Sequence, residues 1–281
     1  MNRTLRTLRA GAVLSATALV MTGCSTGGDG GEAPVADENG VTTLRVGASP
    51  VPHGEILQFV ADELAADAGL ELDIVTFDDY VLPNTALAEG DLDANYFQHL
   101  PYFESQVADQ GFEFDHFEGV HIEPYGIYSD TVESVEDLPQ GGVVGITNDP
   151  GNQARALELL EASGVITLAE TDGDPTLFDI AENPKELELV ETAPEQLPRA
   201  LQDVDAAIIN GNYALEADLN PAEDSIFLES GDENPYANFL AFRTEDEGNE
   251  AIATLDELLH SDEVRAFIEE RWPAGEVLPA F

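Results

Sequence analysis

The chain has 281 residues, 43% of them hydrophobic and 24% charged, enough for a sizeable core in one large domain or two lobes. Fifty-seven acidic residues against ten basic ones give a formal net charge of −47. That balance disfavours a nucleic-acid partner, whose phosphates need basic patches, and a single cysteine excludes an internal disulfide.

The first 24 residues read as an export signal. Arg3, Arg6 and Arg9 form a basic segment, Ala10 to Met21 is apolar or small, and Thr22-Gly23-Cys24 follows. The 12-residue apolar stretch falls short of the roughly 20 that a helix needs to span the ~30 Å hydrocarbon core, so no stable transmembrane anchor is expected. Met21-Thr22-Gly23-Cys24 resembles a bacterial lipobox, which implies that Cys24 is acylated and becomes the first mature residue. Residues 1–23 are assigned to a signal peptide. Residues 24–40, rich in Gly, Ser, Asp and Glu, are assigned to a flexible tether between lipid and folded body. From Cys24 onward the chain carries seven basic and 57 acidic residues, a formal charge of −50 spread along its length. This predicts a solvated surface adapted to high salt, where screening shortens the range of self-repulsion. A calcium-loading surface lacks the dense D-x-D-x-D-G loop it would need.

Thr42 to Ala48 alternates and is β-rich, the first predicted strand. His53 to Ala66 has a helical apolar face at Ile56, Leu57, Val60 and Leu64. A strand over Leu70 to Phe77, a short helix over Pro83 to Glu89 closed by Gly90, a strand over Asp93 to Phe97, and a helix over Gln98 to Gln110 stopped by Gly111 follow. This alternation predicts a mostly parallel sheet with helices on its faces. Gly119 to Ser129 reads as an extended crossover. In a second unit, Val143 to Thr147 suits a buried parallel strand and Asn148-Asp149-Pro150-Gly151 starts a helix carried by Gln153 to Ala162. Leu187 to Glu191 and Ala206 to Asn210 read as strands flanking a helix over Glu195 to Gln202. Ser225 to Glu229 and Asn238 to Arg243 are extended and are expected to carry the chain back to the first lobe, covered by terminal helices over Asn249 to His260 and Ser261 to Arg271. The expected organisation is a first lobe from 41–124, a second from 125–230 and a return to the first over 231–281, with a ligand cleft at the C-terminal ends of the strands.

Within this frame the junction from Asn148 to Arg155 stands out. A helix start presents unpaired N–H groups and the positive end of its dipole, a natural anion site, and Arg155 offers a fork that matches a carboxylate. Asn210 and Asn238, at strand ends, could accept from an ammonium. Phe77, Tyr80, Tyr96, Phe97, His99 and Tyr102 form an aromatic-rich stretch near the strand ends of the first lobe, and a thioether packs well against aromatic edges.

Several phrases make the chain resemble the methionine-binding lipoproteins of ABC importers, the MetQ or NlpA family. They are Phe77-Asp78-Asp79-Tyr80-Val81-Leu82-Pro83-Asn84, Asp93-Ala94-Asn95-Tyr96-Phe97-Gln98-His99, Glu123-Pro124-Tyr125-Gly126-Ile127-Tyr128-Ser129 and Asn148-Asp149-Pro150 with Asn152 and Arg155. Glu182-Asn183-Pro184-Lys185, Gln196-Leu197-Pro198-Arg199, Asn210 with Asn212-Tyr213-Ala214, and Tyr236-Ala237-Asn238 complete the set, which runs in order over residues 42–281. The resemblance implies an α/β type II periplasmic-binding-protein fold, two lobes around a cleft joined by two crossovers. It implies that Phe77, Tyr80, Phe97 and His99 surround a methionine side chain. Asn152, Arg155 and Asn210 would hold its carboxylate and ammonium, with Asn238 reaching in from the return crossover. Gly151 stands where many relatives have Thr, and Tyr96 where a smaller residue is common. The implied partners are L-methionine, an ABC permease with its ATPase, and the bilayer through Cys24, with the protein acting as a monomer. Another amino acid or a short methionine-containing peptide is the alternative ligand.

Other classes fit less well. No G-x-S-x-G elbow, H-E-x-x-H or P-loop points to an enzyme. Of the five histidines only His116 and His121 lie within five residues of one another, a spacing read as strand and turn chemistry, so neither a metal nor a cofactor is expected. A purely structural surface lipoprotein would bind no amino acid.

Overall fold

The computed structural model describes residues 33–231 and 234–281; the predicted signal peptide, Cys24 and residues 25–32 of the predicted tether lie outside them. Two sheets organise the chain. The first has six strands in the order β13-β4-β12-β3-β1-β2, built from β1 (Thr42–Ala48), β2 (Leu70–Thr76), β3 (Ala94–His99), β4 (Phe114–Ile122), β12 (Asn238–Arg243) and β13 (Leu278–Pro279). The second has five in the order β11-β5-β10-β6-β9, from β5 (Gly126–Tyr128), β6 (Val143–Thr147), β9 (Glu188–Thr192), β10 (Ala206–Ile209) and β11 (Ser225–Leu228). A small hairpin of β7 (Thr167–Leu168) and β8 (Ile180–Glu182) lies beyond the second sheet.

Each sheet has three strands paired in parallel, β1 with β2 and β3, and β6 with β9 and β10, whereas β5 is antiparallel to β10 and β11. Parallel neighbours need helical crossovers, and the helices supply them. They are α1 (Glu55–Glu63), α2 (Leu82–Ala88) and α3 (Leu100–Gln110) in the first lobe, then α4 (Pro150–Ala162) and the short α5 (Leu197–Ala200), α6 (Gly211–Glu216) and α7 (Pro221–Asp224). Helix α3 stops where Gly111 turns left-handed at φ +72°. The chain closes with α8 (Glu250–Leu259) and α9 (Asp262–Arg271), which pack on α1.

Three differences from the expected elements have physical causes. Ser225 to Glu229 does not carry the chain back: β11 pairs antiparallel with β5 inside the second sheet, and the return runs between β11 and β12. The single extended crossover at 119–129 is two strands of different sheets, β4 and β5, interrupted at Glu123 to Tyr125. The helix over 195–202 is a chain of short turns, because Pro194 and Pro198 each remove an N–H donor. The hairpin β7–β8, α6, α7 and β13 are too short for periodicity to reveal.

Each lobe buries its own core. Leu44, Val46, Ile56, Leu57, Val60, Leu255 and Ile268 fill the first, and Ile127, Val144, Ile146, Leu157, Leu160 and Ile208 the second. A third cluster joins them: Tyr80, Phe97 and Tyr102 of the first lobe meet Tyr128, Leu197, Ile209 and Tyr213 of the second. Among the described residues no helix is long and apolar enough to cross a membrane. Leu57, fully buried, and Leu82, 53% exposed, make a controlled pair. Leu57→Ala is expected to lower unfolding free energy by about 2–5 kcal/mol and Leu82→Ala by less than about 0.5 kcal/mol, checked by urea unfolding.

Candidate ligand-binding site

The two lobes meet around a cavity with about 20 Å3 of room for the centre of a water molecule. Its wall includes Tyr80, Phe97, His99, Asn152, Arg155, Asn210 and Asn238, seven of the eight side chains expected there. Phe77 is the exception: it packs with Leu87, Leu92 and Phe103 in a separate apolar cluster of the first lobe, because β2 ends one residue earlier and its ring turns toward Gly47 of β1. Tyr102, of the aromatic stretch, also faces the cavity, as do Gln98, Glu123, Gly211 and Asn212, to which no site role was given.

The first-lobe wall follows from β3, whose six residues are all buried, and from the turn into α3. His99 caps α3: its Nδ1 accepts the Tyr102 amide at 3.3 Å. Nε2 is therefore the protonated nitrogen, and it donates across the cleft to Asn152 Oδ1 at 3.1 Å. Burial, then the neighbouring Arg155 charge, pushes the His99 pKa down to about 3, so the ring is neutral. Tyr80 donates across the cleft to Asn212 Oδ1 at 2.5 Å, and Tyr102 donates to the Tyr80 carbonyl at 2.8 Å. The Tyr80 and Tyr213 rings lie 4.9 Å apart.

On the second lobe, Asp149 caps α4. Its Oδ1 accepts the Asn152 amide at 2.9 Å and the Asn152 side chain at 3.1 Å. One amide of the helix end is thus met by the protein's own carboxylate. Asn152 Oδ1 in turn accepts from Asn210 Nδ2 at 2.8 Å, and Asn210 Oδ1 is buried without a partner. Gly151 approaches the first lobe closely: a Cβ there would sit 3.0 Å from Tyr102 Cα, so a larger residue requires the lobes to part by a few tenths of an ångström.

Arg155 is 4% exposed and lies between the Tyr236 ring, 4.1 Å from its Cζ, and the Tyr125 ring at 5.0 Å. Its fork is engaged inside the protein: Nε and Nη2 donate to Glu229 at 2.9 and 2.5 Å, and Nη2 also donates to the Glu123 carbonyl at 2.9 Å. The expected bidentate contact is therefore made by Glu229, and Nη1 is the guanidinium nitrogen that neither Glu229 nor Glu123 engages. No sequence signal singled out Glu229 among 57 acidic residues. Asn238 sits at a bulge of β12 and its Oδ1 lies 3.0 Å from His53 Nε2. His53 and His121 both contact Glu123 Oε1, at 3.2 and 2.9 Å, whereas His116 stacks on Phe239 at 4.3 Å.

His99 makes a pH-dependent contribution of defined sign. Its folded pKa lies below the unfolded value of 6.5, so the unfolded chain takes up the proton first and stability is lost as pH falls below 6.5. His99→Gln lacks that loss. Its stability relative to wild type is expected to rise by up to about 1.4 kcal/mol per pH unit between pH 6.5 and about 4, measured by urea unfolding at fixed salt.

A family model described as NlpA lipoprotein matches residues 44–281. The Methionine-binding lipoprotein MetQ of Bacillus subtilis is 41% identical, over 98% of this chain and 99% of its own length. A nutrient-binding protein from Burkholderia cenocepacia, solved bound to methionine, superposes with a TM-score of 0.81 at 43% identity, covering 85% of this chain and 100% of that one. An ABC transporter periplasmic substrate-binding protein from Coxiella burnetii superposes with a TM-score of 0.80 at 37% identity, covering 84% and 100%. With the two sheets, the cleft between them and nearly the whole folded chain matched, this protein belongs to the NlpA lipoprotein family.

Proposed function

We propose that this chain is the extracytoplasmic substrate-binding lipoprotein of an ABC importer and that it captures methionine in the cleft. The observation that carries this reading is one cavity between the lobes walled by a buried guanidinium, a buried carboxylate and the rings of Tyr80, Phe97 and Tyr102. A zwitterion needs both charges answered, and a thioether gains about 0.3–1.5 kcal/mol from each aromatic contact. In this reading Arg155 Nη1 meets the carboxylate, Asn152, Asn210 and Asn238 complete the polar contacts, and Tyr80, Phe97 and His99 take the side chain.

The lobes, 41–124 with 231–281 and 125–230, close on the ligand because it touches both, a population shift driven by differential affinity. The closed monomer then delivers its cargo to a permease driven by a separate ATPase. Acylated Cys24 and the segment to residue 40 tether it to the outer face of the cell membrane after residues 1–23 are removed. The role is capture and delivery, with no catalysis. The formal charge of −50 beyond the signal suits a salt-rich exterior.

Methionine at about 100 times its dissociation constant is expected to add about 2.7 kcal/mol to unfolding free energy. Arg155→Ala is expected to weaken methionine by about tenfold or more, at roughly 1.5–3 kcal/mol for a charge-assisted contact, read by calorimetry. Unchanged affinity would remove Arg155 from the site. Raising potassium chloride from about 0.1 to about 1 M shortens the Debye length from about 10 to about 3 Å and is expected to raise Tm in differential scanning calorimetry.

A further inference from the structure

We infer that Glu123, hydrogen-bonded by the imidazoles of His53 and His121, is the residue that reads the ligand's α-ammonium. This rests on the proposal that the cleft takes an amino acid; it assigns the ammonium to a charged group that neither the sequence reading nor the family match singled out.

The hydrogen-bond pattern sets the protonation of the cluster. The Tyr96 hydroxyl lies against His121 Nδ1. A buried phenol donates, so His121 keeps its proton on Nε2 and donates it to Glu123 Oε1 at 2.9 Å. His53 Nε2 faces two acceptors, Glu123 Oε1 at 3.2 Å and Asn238 Oδ1 at 3.0 Å, so it too carries the proton. His53 Nδ1, buried without a partner, is then the bare nitrogen. Burial pushes the His53 pKa down to about 4 and that of His121 to about 3, so both rings donate without adding charge.

Glu123 thus accepts from both imidazoles and from the Asn212 backbone N–H, and the Arg155 charge acts on it without pairing with it. Among the described residues no lysine or arginine forms an ion pair with it, and the one buried cation nearby, Arg155, is paired with Glu229. Burial accordingly raises the Glu123 pKa, partly offset by its neighbours. A carboxylate in that position is relieved by a cation arriving in the cavity it faces. The same cavity holds the unpartnered Asn210 Oδ1, a second acceptor for a group with three N–H donors. Gly211 makes room for it, since a Cβ there would lie 2.7 Å from Glu123 Cβ.

A metal ion is the rival occupant, because His53, His121 and Glu123 place one ligand atom each within 4.8 Å of one another. Both imidazole nitrogens in that set are the protonated ones, however. Binding there requires two tautomer changes, one of them against the Tyr96 hydrogen bond.

The test compares L-methionine with 4-(methylthio)butanoate, which keeps the carboxylate and thioether and lacks the ammonium. The folded wild type is expected to bind the analogue at least about tenfold more weakly. Glu123→Gln should weaken methionine by about tenfold or more and leave the analogue within about threefold, so that the preference collapses. Equal weakening of both ligands, or unchanged methionine affinity in the variant, overturns the assignment. So does a wild type that binds both ligands equally, a result independent of whether the variant folds. One equivalent of zinc bound by the wild type and lost in Glu123→Gln would overturn it in favour of a metal site. A wild type that binds neither ligand removes the amino-acid reading itself.

Discussion

The cleft is organised by the cost of burying charge. A guanidinium or carboxylate removed from water costs several kcal/mol unless an opposite charge and hydrogen bonds meet it. Arg155 meets that requirement internally: Glu229 takes one edge of its fork, the Glu123 carbonyl takes a further N–H, and the Tyr236 and Tyr125 rings cover its faces. Glu229 is itself held by the Tyr125 amide and by Asn234. The pair ties α4 to the segment where the chain leaves the second sheet, so the protein's own residues hold the guanidinium in place. Such preorganisation spares the ligand the cost of ordering its own receptor.

Glu123 stands in the opposite condition. It lies at the break between β4 and β5, where the chain passes from the first sheet to the second, and its carboxylate contacts His53 and His121 of the first lobe. One buried charge is compensated and the other is left for a ligand. The arrangement explains why a single cavity can suit a zwitterion although the protein is strongly anionic. Glu123 is buried and Glu229 is partly so, unlike the many exposed acidic residues among those described.

Closure rests on a few polar contacts across the cleft. His99 with Asn152, Tyr80 with Asn212, and Tyr213 with the Asp78 carbonyl join the lobes, beside the mixed aromatic cluster. Each hydrogen bond contributes about 0.5–1.5 kcal/mol net, far less than the burial that holds each lobe together. The contacts between the lobes are thus weak beside the core on either side.

Much of this was legible in the residues. Alternation and helical spacing marked β1, β6 and α4 closely, and Asp149-Pro150 announced where α4 begins, because strand and helix periods and capping chemistry are local properties. The ordered family phrases identified most of the cavity wall. What remained hidden was non-local. Nothing near Ser225 says that β11 stays with β5, because strand pairing depends on which edge is available once the sheets exist. Nothing near Phe77 says that its ring turns into the first-lobe core. Glu229 lies 74 residues from Arg155, and His53 lies 70 residues from Glu123, so only folding brings each pair within hydrogen-bond reach. The amino-acid order marked most of the elements and the acidic composition. The tertiary structure decided which buried charge is already neutralised and which is left to a ligand, because that depends on distances between residues remote in sequence.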